Sequence, residues 1–199
     1  YSHFIKTRHN VSGTTSYRFT TIGSSPNFEN SSGSIVAEET ADGVIKFSNN
    51  SSGWGKGWRS TSTVSAAVGL ELSFTWHVDL STAQGEFYIG YSTSTSWGSY
   101  DYNNQFACFM PAPSQRFIRA REGGSVRVTE YTDASVSIRF RIVLVEQGTG
   151  YVRAQYYWSR DGAAETVFYN NTGSSTVAVG TALYVKMGSV TGTGTTLVI

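Results

Sequence analysis

From Leu70 to Val78 every second residue is apolar: Leu70, Leu72, Phe74, Trp76 and Val78 share one parity, and Glu71, Ser73, Thr75 and His77 hold the other. A period of two puts one set on each side of a pleated strand, so this segment reads as a strand with one buried face. The same pattern recurs along the chain. In residues 137–147, the longest strand expected, Ile138, Phe140, Ile142 and Leu144 take the inward parity. Further strands are expected at 44–47, 87–91, 105–110, 116–120, 125–131, 151–159, 165–170, 182–187 and 195–199. Gly123-Gly124 and Asp161-Gly162 supply hairpin-type turns, and Pro111 and Pro113 end the strand before them. No window of ten or more residues carries a 3.6-residue apolar period, so the fold class is all-β, a two-sheet antiparallel β-sandwich.

Composition agrees and narrows the functional classes. The chain has 199 residues with 18 Val and 9 Ile but only 6 Leu, a balance that favours pleated strands over helices. Lys and Arg total 15 against 14 Asp and Glu, for a net charge of +1, without the basic stripe of a nucleic-acid binder or the polybasic segment of a membrane-surface protein. Charged residues make up 15% of the chain, below an average near ~25%, so solubility falls to hydroxyls, amides and glycines. Cys108 is the single cysteine, which excludes an intrachain disulfide. The longest strongly apolar run, 142–145, is far short of the ~20 residues of a membrane-spanning helix, so no membrane insertion is expected.

The first residues differ in texture. His3, Phe4, Ile5, Lys6, Arg8 and His9 precede a Ser/Thr/Gly turn, then Tyr17 to Ile22, then a loop-like stretch. Residues 1–33 are therefore expected to form a short β-hairpin and linker, and residues 34–199 the sandwich. An isolated hairpin buries too little to be stable, so this one is expected to pack on the sandwich or on a neighbouring chain. A start at Tyr1 without methionine fits a piece of a longer chain.

Three ordered segments carry a family resemblance: Arg139-Phe140-Arg141-Ile142-Val143, Tyr156-Tyr157-Trp158-Ser159-Arg160-Asp161-Gly162, and Thr181-Ala182-Leu183-Tyr184-Val185. With 42–47 and 85–90 they resemble concanavalin A-like jelly-roll domains of the laminin-G, lectin and glucanase type, over roughly residues 34–199. That resemblance implies a jelly roll. The stretch Ser2-His3-Phe4-Ile5-Lys6-Thr7-Arg8-His9-Asn10, followed by Tyr17-Arg18-Phe19, is similar to segments of bacteriophage tail-fibre and receptor-binding proteins that link a shaft to a C-terminal recognition domain. It implies a homotrimeric virion appendage, outside the cell, in contact with other virion proteins.

Glycoside hydrolysis needs two carboxylates about 5 to 10 Å apart. The E-x-D-x-x-E strand motif of glucanases with this fold is absent, and Glu71 and Asp79, though of one parity, are about 26 Å apart along a strand. His77 lies on the polar parity beside Thr75 and Asp79 and reads as solvent-facing, and no G-x-S-x-G elbow is present. His3 and His9 lack the H-x-H spacing of metal-holding fibre proteins. Asp101, Asn103 and Asn104 have oxygen-ligand spacing but only one carboxylate, so they read as a polar loop. No catalytic residue, metal or cofactor is assigned.

Aromatic loops carry the stronger signal. Trp54 and Trp58 stand among glycines, and Trp97, Tyr100, Asp101, Tyr102, Asn103 and Asn104 mix rings with amides and a carboxylate. Sugar C–H faces stack on indole and phenol while hydroxyls pair with Asn and Asp, so these eight residues are the expected ligand-binding set. The competing reading tucks Trp54 and Trp58 into the sandwich as plugs. The expectation is a non-enzymatic recognition domain of a phage tail fibre or receptor-binding protein, binding a host-surface glycan or receptor. The alternatives are a structural virion decoration or fibre-attachment protein, and a secreted carbohydrate-binding module or glycoside hydrolase.

Overall fold

The computed structural model describes residues 5–9, 13–17, 28–30, 35–41, 44–49, 58–77, 86–95, 105–110, 117–131, 137–170, 175–190 and 195–198. Among them all regular structure is strand, and every ladder is antiparallel. The first sheet is built on β13 (Ser137–Glu146) and β14 (Tyr151–Arg160), flanked by β15 (Thr166–Asn170) and β8 (Glu71–His77). A hairpin of β1 (Ile5–His9) and β2 (Gly13–Tyr17) extends it beyond β8, and β16 (Val177–Ala178) pairs with β14. The second sheet runs β12 (Ser125–Tyr131), β11 (Phe117–Glu122), β10 (Phe106–Met110), β9 (Glu86–Ser92), β17 (Ala182–Val190), β6 (Trp58–Ser60) and β3 (Phe28–Asn30), with β7 (Val64–Ser65) on β17. A small third sheet joins β18 (Thr195–Val198), β5 (Val44–Asn49) and β4 (Ile35–Ala41), and β5 approaches β17.

Parity builds the core as the sequence leads one to expect. Ile138, Phe140, Ile142 and Leu144 are all fully buried, as are Leu70 and Leu72. They share one core cluster with Ile89, Tyr91, Phe106, Cys108 and Ile118 from the second sheet, where β10 approaches β13. Phe140 meets Phe168 edge to face at 5.0 Å, and Trp158, partly buried, packs against the same ring at 5.4 Å. The Gly123-Gly124 turn has both φ values positive, +53° and +83°, the requirement of the type I′ hairpin that matches strand twist. Asp161 and Gly162 repeat the combination at the end of β14.

The N-terminal hairpin departs in detail from its sequence reading. Its second strand is Gly13–Tyr17, ahead of the 17–22 expected, with Ile5 opposite Tyr17 and His9 opposite Gly13. The Ser/Thr stretch serves as a strand because the ladder supplies the backbone partners and β-branched threonines suit a pleated surface. The hairpin adds to the sheet edge, with Thr7 opposite Leu72.

Candidate ligand-binding face

The outward side of the first sheet carries a side-chain lattice fixed by register. Val152, Ala154 and Tyr156 of β14 face the core, so Tyr151, Arg153, Gln155, Tyr157 and Ser159 point away from it. Arg141 lies opposite Tyr157 on one side and Ser73 on the other, while Val143 lies between Gln155 and Glu71. A bulge at Tyr156/Tyr157 sets Gln155 against Asn170 and Tyr157 against Val167.

Arg141 is the hub. Its Nε donates to Glu165 Oε1 and Oε2 at 3.1 and 3.0 Å, Nη2 also donates to Glu165, and Nη1 donates to Glu71 Oε2 at 3.2 Å. The guanidinium stands 4.4 Å from the centroid of the Tyr157 ring, a cation–π stack. Hydrogen bonding to Glu165 is the largest influence on its acidity; with the weaker Glu71 contribution it outweighs desolvation, and the guanidinium is pushed up from its ordinary value. Beside the hub runs a connected polar chain. Tyr157 Oη donates to Gln155 Oε1 at 2.7 Å, Gln155 Nε2 donates to Asn170 Oδ1 at 3.1 Å, and Arg153 Nη1 donates to the same oxygen. A planar cation on a phenol, two amides and a second guanidinium are thus held in set geometry on an accessible sheet face.

The carboxylates on and behind this face are held in ion pairs. Arg141 engages both oxygens of Glu165 and Oε2 of Glu71, so one guanidinium joins the two carboxylates across the sheet. The other carboxylate of note, Glu122, faces the interior at the end of β11 with no exposed surface, 3.4 Å from Arg127 Nε. It acts on Tyr156, whose hydroxyl is pushed well up chiefly by burial and then by Glu122. Burial likewise pushes the Cys108 thiol far from a reactive thiolate. No group of three or more His, Cys, Asp or Glu with metal-holding geometry occurs among the described residues.

Of the expected ligand set, Trp54, Trp97, Tyr100, Asp101, Tyr102, Asn103 and Asn104 lie outside the described residues. Trp58 opens β6, opposite Met187 and Asn30. The Arg141 lattice was missed from sequence, although its signal is present: polar residues occupy alternate positions of 151–159, each spaced to share one side.

No protein-family model matches the chain, and no curated protein matches it. Among solved structures it is similar to a legume lectin-like domain from Entamoeba histolytica, at 10% identity and a TM-score of 0.46, covering 86% of this chain and 85% of that one. A protein of unknown function from Shewanella oneidensis MR-1 aligns at 11% identity and a TM-score of 0.42, over 100% and 84% of the two chains. The catalytic domain of a GH131 β-glucanase from Podospora anserina aligns at 11% identity and a TM-score of 0.37, over 97% and 86%.

Proposed function

We propose that this chain is a non-enzymatic recognition domain that binds a glycan, and that it serves on a virion appendage of the tail-fibre or receptor-binding type. The observation supporting glycan binding is the ordered row of the Arg141–Tyr157 stack with Gln155 and Asn170 on an accessible sheet face. Hydroxyl-rich ligands need fixed donors and acceptors beside a flat surface, and this row presents both already in place. Support for the virion setting comes from the segment at residues 2–10 and 17–19 with its tail-fibre resemblance. The partner is then a host-surface glycan, and assembly with other virion proteins as a homotrimer follows from the same segment.

A glycan array probed with wild type, Tyr157→Ala and Trp97→Ala tests this. Binding by wild type that Tyr157→Ala abolishes places recognition on the sheet face, and loss with Trp97→Ala alone places it on the loop instead. An array that stays blank with wild type rejects glycan recognition. Release of reducing ends from any bound polysaccharide rejects the non-enzymatic reading.

A further inference from the structure

The polar chain does not stop at Tyr157. Along β14 the outward residues run Tyr151, Arg153, Gln155, Tyr157, so two phenols of the same parity lie six residues apart, about 20 Å along an extended strand. Between them Gln155 accepts from Tyr157 along the strand, and Arg153 and Gln155 both reach across to Asn170 Oδ1 on β15, which joins the two side chains through one shared acceptor. Tyr151 is 51% exposed, and Ala178, its partner in register, is too small to cover the ring from the side. The strand end bearing Tyr151 is fixed by backbone hydrogen bonds from Gln147 N to Tyr151 O at 2.9 Å and from Val179 N to Gly150 O at 2.9 Å.

We infer that β14 is a lengthwise track for an extended oligosaccharide, with Tyr151 and the Tyr157–Arg141 stack as its terminal platforms and the Arg153–Gln155–Asn170 cluster as the polar rail between them. The inference rests on the glycan-binding reading above and goes beyond it: the ligand is several linked sugar rings in the interior of a chain, not a single terminal sugar. One ring covers one platform, and only a chain long enough to span 151 to 157 engages both. Side chains already locked by mutual hydrogen bonds lose little further freedom when such a chain settles on them.

Size ladders from monosaccharide to hexasaccharide, cut from a glucan, a mannan, a galactan and chitin, test the track by calorimetry against wild type, Tyr151→Ala and Tyr157→Ala. Melting temperatures of both variants establish that they remain folded. The expected result is a wild-type affinity that climbs with length for at least one ladder. Tyr151→Ala removes the climb at the long end, a loss of roughly three- to tenfold for the hexasaccharide, the size of one aromatic contact. Tyr157→Ala weakens every length. Affinity that saturates at the disaccharide, or a Tyr151→Ala loss equal at all lengths, overturns the track and leaves glycan recognition standing. Failure of wild type to bind any ladder overturns both.

Discussion

Lys186 shows how far a single residue can depart from its ordinary state in this sheet. It sits on the outward parity of β17, between Arg59 and Gly90 in register, yet is only 3% exposed. Desolvation, and then the Arg59 charge, lower its pKa from 10.5 to about 8. The folded state therefore releases this proton more readily than the unfolded one, so the unfolded state holds more protons between about 8 and 10.5, and stability rises with pH through that window. Below about 8 the full penalty of a buried charge is present. Lys186→Met is expected to flatten this rise and to raise stability at pH 7 by about 1 kcal/mol, since an apolar side chain of similar length relieves the burial cost. Urea midpoints of wild type and variant between pH 7 and 10.5 give the comparison, and parallel curves would refute it. In the same register row, Gly90 is constrained by space. A Cβ there would lie 2.6 Å from Ala107 Cα on the neighbouring strand, which cannot retreat without breaking the ladder. Gly90→Ala is accordingly expected to cost about 3 kcal/mol or more, read as a drop in the denaturation midpoint.

Turns and registers control the strands, and here the sequence was legible to different depths. The β11–β12 turn has Gly123 at φ +53°, where among the described residues a would-be Cβ meets only Ser175 Oγ, at 3.8 Å. Asparagine accepts that conformation and restricts the unfolded chain, so Gly123→Asn is expected to be neutral or to stabilise by up to ~1 kcal/mol. Gly123→Val, β-branched at positive φ, is expected to cost about 1–2 kcal/mol. Thermal melts of the two variants should move in opposite directions or differ by that margin. This hairpin, β8 and β13 could be read from sequence because local signals, a Gly-Gly pair or a clean alternation, coincide with the tertiary outcome. The two-residue strands β7 and β16 could not, since nothing but pairing with β17 and β14 makes them strands. The Arg141 lattice was hidden for two reasons. Tyr156, Tyr157 and Trp158 are consecutive aromatics, which blur parity where the bulge falls. Arg153 and Asn170, seventeen residues apart, meet only through the β14–β15 register. The aromatic segments singled out from sequence, apart from Trp58, lie outside the described residues.

At the scale of the whole molecule, the proposed glycan-binding face, built from hydrogen bonds, one aromatic stack and few net charges, would hold each sugar weakly, and this constrains how the proposed appendage could hold a cell surface. The chain carries +1 overall, so long-range attraction contributes little to capture. Several copies acting together solve that problem, because once one copy is bound the next meets its ligand at a high effective concentration. A homotrimer of the 21.7 kDa chain is therefore the assembly expected of the proposed appendage, and light scattering on the purified protein should return three times that mass. If three faces engage together, binding to a densely glycosylated surface should exceed binding to the same glycan free in solution by about 10² to 10⁴. Tyr157→Ala, which weakens each site, should then reduce surface binding far more than it reduces solution binding, because the loss is multiplied across the copies. A protein that scatters as a stable monomer, or one with equal surface and solution affinities, would remove avidity and require the single face to account for attachment unaided.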